Sequence, residues 1–226
     1  MTITVDAVTE NVRTDTTSPQ TFSHAGAGSG VKGIVLALVH GVSATDHVSA
    51  ASYGGTAMTR IQRNTDTSTE LGAAEIWFLG ASVPQGTQTV SYTCGATTDD
   101  FHAVSVTLLG SGDLRVIDND GVSENAANPS VTLQYLGRSC MAFAALYGGG
   151  ADGGSFTPNG NCTTIHDHDL GAFYSEVIRQ TTAGTADFAI GGTSSSDDVA
   201  FAAIAVTEIT PSYHEWRANM GARLQF

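Results

Sequence analysis

The feature that most constrains this chain is a period of two, carried by short runs that glycine, asparagine, aspartate and proline cut apart. Thr89-Val90-Ser91-Tyr92-Thr93-Cys94 alternates hydroxyl-bearing with apolar or aromatic side chains. In an extended strand Val90, Tyr92 and Cys94 therefore share a buried face while Thr89, Ser91 and Thr93 face water. Runs rich in Val, Ile, Thr and aromatics recur at 3–8, 31–39, 57–62, 74–79, 101–109, 114–117, 131–136, 141–147, 173–179, 186–190 and 199–209. This spacing predicts an all-β fold of antiparallel strands. The expected architecture is an antiparallel β-sandwich, jelly-roll-like, with an immunoglobulin-like order as the alternative, because strand count does not determine strand order.

Helix signals are thin: glycines interrupt the runs, and few Lys or Glu residues supply a helical surface. The segments 31–39, 141–147 and 199–206 are apolar on both faces, as expected of strands near the centre of a sheet covered on its second face by loops, another layer or another subunit. Turns are expected at Tyr53-Gly54-Gly55, Val83-Pro84-Gln85-Gly86, Gly110-Ser111-Gly112-Asp113 and Asp118-Asn119-Asp120-Gly121. The long irregular stretches are expected at 18–30 and 148–161. No repeat of fixed period is evident, so the expectation is a single sandwich domain over 1–210. After Ile209 the composition changes, Pro211 blocks continuation of the ladder, and 211–226 reads as an extended C-terminal arm.

Composition narrows the function. The 226 residues hold 22 Asp and Glu against 9 Lys and Arg, a formal charge of −13, and Lys32 is the single lysine. Nucleic acid is not an expected partner, since phosphate contacts need clustered Lys and Arg. No apolar run approaches the roughly 20 residues of a spanning helix, so no membrane is expected. The start Met-Thr-Ile-Thr-Val-Asp lacks the basic and apolar regions of a secretory signal, which implies synthesis in the cytoplasm. Cys94, Cys140 and Cys162 are scattered, without the close pairing of a zinc site, and Cys94 and Cys140 are expected in the core.

Candidate chemistry is sparse. His166 and His168, in Ile165-His166-Asp167-His168-Asp169, share a face if extended and are of metal-ligand type. They lack a recognisable third and fourth ligand, so no metal and no cofactor are expected. Asp118-Asn119-Asp120-Gly121 with Glu124 resembles the start of a calcium loop but lacks the distal glutamate. No Gly-x-Ser-x-Gly elbow is present. Ser43, His40 and the Asp46-His47 pair form only an arbitrary triad. Asp99-Asp100, His166, His168 and Glu176 would serve an enzyme only by converging in one cleft, so no enzyme is expected and no catalytic residue is assigned. Trp77 and Phe78 are consecutive, which turns one ring away from the core as a candidate ligand platform.

The segment Ser52-Tyr53-Gly54-Gly55-Thr56-Ala57-Met58-Thr59-Arg60, then Ala74-Glu75-Ile76-Trp77-Phe78-Leu79, then Pro84-Gln85-Gly86-Thr87-Gln88-Thr89-Val90-Ser91, resembles a β-sandwich module of tailed-phage virion proteins and related bacterial surface proteins. The likeness covers roughly 31–110 and consists of turn and core residues. It implies a capsid decoration (cement) or head-fibre protein: a trimer on the outer surface of a virion, bound to the lattice of the major capsid protein. Tyr213, Trp216 and Phe226 of the arm would then be the partner-binding anchors. A carbohydrate- or receptor-binding module of a phage tail or bacterial surface protein is the alternative.

Overall fold

The computed structural model describes residues 3–13, 18–41, 48–66, 72–95, 100–123, 128–149, 155–171, 173–195 and 198–209. The expected arm, with Tyr213, Trp216 and Phe226, lies outside the described residues, as do Ser43, Asp46, His47, Asp99 and Glu124. The alternating runs become antiparallel strands throughout, and among the described residues no helix is long and apolar enough to cross a membrane.

The first half of the chain contains β1 (Thr4–Arg13), β2 (Gln20–Ala25), β3 (Val31–Gly41), β4 (Val48–Tyr53), β5 (Thr56–Ala57), β6 (Thr59–Asp66), β7 (Gly72–Leu79), β8 (Thr87–Cys94) and β9 (Phe101–Leu109). They form a five-stranded sheet, β1-β9-β3-β7-β6, facing a four-stranded sheet, β2-β8-β4-β5. After the connection at Gly110-Ser111-Gly112-Asp113 follow β10 (Leu114–Ser123), β11 (Ser130–Leu133), β12 (Cys140–Gly149), β13 (Phe156–Pro158), β14 (Cys162–Asp169), β15 (Phe173–Gln180), β16 (Phe188–Ser194) and β17 (Val199–Glu208). These repeat the plan: a five-stranded sheet, β10-β17-β12-β15-β14, faces a three-stranded sheet, β11-β16-β13. The chain is thus a topological duplication, which no fixed sequence period announces.

The two five-stranded sheets pack face to face, giving four layers and three apolar cores. Val35, Ala37, Val39, Ile76, Phe78, Val104 and Val106 meet Met141, Phe143, Ala145, Val177 and Ile204 in the central one. Ile34, Leu36, Leu38, Trp77 and Tyr92 fill the first sandwich, and Tyr135, Ala144, Leu146, Ile190 and Phe201 the second. The strands apolar on both faces are β3, β12 and β17, and the second cover is another layer of the same chain. Their alternate residues drive burial on opposite sides, each large side chain contributing about 1.5–3 kcal/mol.

The central interface interlocks by size. A Cβ at Gly41 would lie 2.5 Å from the Phe173 ring, and one at Gly72 would overlap the Tyr147 ring. Tyr147 and Phe173 themselves pack with centroids 5.2 Å apart. Aromatic rings of the second sandwich therefore occupy space that glycines leave on the first. Across this interface β6 lies against β10 and β17, and β7 against β12 and β17.

Three local expectations need correcting. Asp118-Asn119-Asp120-Gly121 is not a turn but the middle of β10, paired with β17 beyond a bulge at Val116/Asp118. The stretches 18–30 and 148–161 contain β2 and β13, short strands at sheet positions where a polar outer face hides the alternation. The turns at Gly54-Gly55 and Gly110-Asp113 stand as expected, with both Gly54 and Gly55 at positive φ (53° and 79°).

Candidate functional site

One corner of the central core is polar. Glu10 on β1 shares the face of Val8, His102 on β9 the face of Val104, and Ser175 on β15 the face of Val177, so all three point between the five-stranded sheets. The fourth element is edge strand β14. Thr164 and His166 are two apart and would share a face in a regular strand, but a bulge lies between them. It leaves Thr164 on the side of Glu176 and turns His166 and His168 towards β1.

The carboxylate of Glu10 sits among three imidazoles. Its Oε1 is 3.3 Å from His102 Nε2 and 3.4 Å from His168 Nδ1, and its Oε2 is 3.1 Å from His166 Nδ1. His102 is fully buried, whereas the other two rings are about a third exposed (34% and 38%). The Nδ1 of His102 hydrogen-bonds the Ser175 hydroxyl. Its Nε2, despite the proximity of Glu10, makes no hydrogen bond. Burial, with the nearby His168 and His166, pushes the His102 pKa down to about 3, so the ring is neutral at neutral pH.

A second polar network links β1, β2 and β9 in the first sandwich. The Thr107 hydroxyl donates to Asp6 Oδ2 (3.1 Å), and His24 bridges Thr107 Oγ1 (3.2 Å) and Ser105 Oγ (2.7 Å). The ring of His24 is fully buried and its pKa is lowered chiefly by that burial. A Ser–His pair enclosed this way ties strands together and offers no nucleophile to a substrate.

The duplication places a buried glutamate at the fourth position of both β7 and β15, opposite Leu38 and Leu146. Glu75 receives Arg63 Nε at 3.1 Å, Trp77 Nε1 at 3.1 Å, His40 Nε2 at 3.4 Å and Arg60 Nη1 at 3.7 Å. Glu176 instead receives the hydroxyls of Thr164 and Tyr174. The position opposite Glu75 on β6 is Arg63, and that opposite Glu176 on β14 is Asp167. Burial, and then Asp167, raise the Glu176 pKa against the lowering from its two hydroxyl donors.

No family model, curated protein or solved structure matches this chain.

The expected ligand platform at Trp77 and Phe78 is corrected by the layering. Both rings are buried, 5% and 7% exposed, because Trp77 points into the first sandwich and Phe78 into the central core. The guanidinium of Arg60 covers Trp77 at 5.5 Å. The set imagined for an enzyme is split, with His166 and His168 facing the central core and Glu176 the opposite side of the same sheet. Cys94 and Cys140 are buried as expected. Sequence spacing led to His166 and His168 but missed Glu10 and His102. The signal for His102 was present: a histidine inside the fully buried, largely apolar run of β9.

An open depression of about 470 Å³ near the end of the second sandwich is lined by Gly160, Asn161 and 180–188. It brings together amide and hydroxyl groups and Asp187, whose carboxylate accepts the Tyr135 N–H at 2.8 Å.

Proposed function

We propose that the chain is a viral structural protein, a decoration or cement subunit that binds the outer surface of a phage capsid and stabilises the shell. In this reading each half is a jelly roll: strands 1-9-3-7 of the first half face strands 2-8-4-5, and the second half repeats the alternation between sheets. Jelly rolls recur in viral capsid and lectin domains, and the link is one of fold and not of site. The observation that carries the reading is the four-layer body itself. Its described imidazoles and buried carboxylates are held in inter-strand networks on separate faces, an arrangement suited to a rigid building block. The segments behind the virion resemblance lie in β4, β5, β6, β7 and β8 of the first sandwich, so they support the sandwich without adding chemistry.

A clamp of this kind acts by mass action, binding the assembled lattice better than its free parts. The formal charge of −13 favours solubility of the coated particle. In this reading the subunit is a trimer, with Tyr213, Trp216 and Phe226 as anchors in neighbouring capsid subunits. The test is light scattering of the purified chain, followed by co-sedimentation with genome-free heads of a candidate phage. Head binding that raises the heads' melting temperature and is lost on removing 211–226 is the expected result. Absence of head binding, with retention on a polysaccharide column, would overturn the proposal in favour of a glycan-binding module.

A further inference from the structure

We propose that the depression at the end of the second sandwich binds a neutral saccharide, with the Gln180 amide as donor, the Asp187 carboxylate as acceptor and Phe188 as the apolar contact. The site does not rest on the shell-binding reading and is compatible with it.

The hollow forms where β15 ends at Gln180 and the chain runs through 181–187 into β16. That connection is fixed at its start, middle and end. Thr181 donates its N–H and its hydroxyl to the Asn161 carbonyl at 2.9 and 3.0 Å. Gly184 pairs with Cys140 through two backbone bonds of 3.0 and 2.8 Å, and Asp187 holds the Tyr135 N–H. A ligand therefore meets a preformed surface, which lowers the ordering cost of binding.

Two observations point to a ligand. The first is Gln180, whose residue is only 6% exposed. Its Oε1 accepts the Tyr135 hydroxyl at 2.5 Å and the Ala142 N–H at 3.4 Å, and since that N–H can only donate, the amide orientation is fixed. Its Nε2 makes no hydrogen bond to any described residue. Gly184, also in the lining, leaves this nitrogen uncovered, for a Cβ there would lie 3.2 Å from it. An enclosed amide donor of this kind is satisfied only by what enters the depression. The second observation is the contrast with the first half. In the equivalent connection, from β7 to β8, Gln85 accepts the Val31 N–H at 3.0 Å and donates to the carbonyls of Val31 at 3.0 Å and Val83 at 2.6 Å. The first half closes its glutamine with backbone, and the second leaves the amide open.

The chemistry of the lining selects the ligand. Asp187 uses Oδ1 on the Tyr135 N–H and keeps Oδ2 as an acceptor. Thr182 and Thr185 add hydroxyls, and Phe188, stacked on Tyr135 with centroids 6.3 Å apart, adds apolar surface. No Lys, Arg or His is among the described lining residues, and the adjacent Arg179 places Nη1 on the Gln180 and Thr181 carbonyls, so an anion would meet a carboxylate without a counter-charge. A sugar supplies hydroxyls that both donate and accept, and C–H faces that pack on an aromatic ring. The volume of about 470 Å³ falls within the roughly 300–1,000 Å³ of small-molecule sites.

The test is NMR titration of the full-length chain with neutral oligosaccharides of glucose, galactose, mannose and N-acetylglucosamine, with sialylated and sulfated oligosaccharides as the anionic comparison. The expected result is millimolar or tighter binding of a neutral oligosaccharide that shifts the Gln180 side-chain amide signal, with weaker binding of the anionic set. Asp187→Asn keeps an acceptor for the Tyr135 N–H and should weaken binding by about tenfold or more at unchanged melting temperature. Gly184→Ala, which sets a methyl against Gln180 Nε2, should weaken it as well. No shift of the Gln180 amide at millimolar neutral oligosaccharide, tighter binding of the anionic set, or full affinity in either variant would overturn the proposal. Head binding is not read by this titration, so its failure leaves the shell-binding reading to its own test.

Discussion

Replacing Arg63 by Met tests the electrostatic logic of the first sandwich. Glu75 is completely buried, and Arg63 supplies its shortest ionic contact, 3.1 Å from Nε to Oε1. Removing one member of a buried ion pair costs about 3–5 kcal/mol, because a charge is left in a low-dielectric interior. Arg60 at 3.7 Å and the Trp77 N–H at 3.1 Å remain, and Arg63 is itself 19% exposed, which lowers the expectation to about 2–3 kcal/mol. For a chain of this length that is a fall in melting temperature of about 4–12 °C. Methionine retains most of the aliphatic stem, so the loss reports the charge more than the packing. Adding Glu75→Gln should then restore part of the loss, since the stranded charge disappears with it. Urea and thermal melts of the two single variants and the double variant form the cycle. A cost below about 0.5 kcal/mol for Arg63→Met, or a further loss on adding Glu75→Gln, would refute the reasoning.

The equivalent glutamate should respond in the opposite sense. Glu176 has its pKa raised above the ordinary 4.5, so its contribution is fully present below pH 4.5 and is lost as pH rises through the folded value; Glu176→Gln should stabilise the protein at pH 8 and flatten the stability profile above pH 4.5 in urea melts. Gly72→Ala drives a methyl into the Tyr147 ring and should cost about 1–3 kcal/mol by overpacking, with partial recovery in Gly72→Ala/Tyr147→Leu by thermal melting. Leu136 is 73% exposed at a φ of 51° between β11 and β12, a conformation costing about 1–2 kcal/mol for an L-residue. Leu136→Asn should therefore raise the denaturant midpoint, corresponding to a gain of about 0.5–1 kcal/mol.

The strands were legible wherever one face or both were apolar. The run 101–109 coincides with β9, and 31–39, 141–147 and 199–209 mark the strands that lie between two cores. Outside the expected runs lay β2, β4, β13 and β14, where residues such as Gln20, Ser23, Ser49 and Thr157 interrupt the apolar pattern, and the strand nature of Asp118-Asn119-Asp120 on edge strand β10. Doubly apolar strands implied a second cover but not its source, because an added layer, a loop and a subunit exert the same demand on sequence. The site was half legible for a related reason. His166 and His168 are neighbours in sequence, whereas Glu10 and His102 reach them only through the stacking of two sheets and a bulge that reverses the face of β14.

The duplication explains why that corner is singular. The matching strand orders make β1 equivalent to β10 and β6 to β14, so the edge where β1 meets β14 has a counterpart where β10 meets β6. In the counterpart the Asn64 side chain lies against Gly121, leaving no room for a Cβ there. One edge is closed by a neutral amide on a glycine, the other by a carboxylate among three imidazoles. The same divergence separates Glu75, neutralised by arginines, from Glu176, held by hydroxyls. Backbone pairing and apolar alternation maintain the common plan in both halves, so polar residues at equivalent positions are free to differ. Chemistry peculiar to this chain is therefore to be sought where the two halves disagree, and the corner where β1 and β9 meet β14 and β15 is one place where described polar groups from both halves face one another.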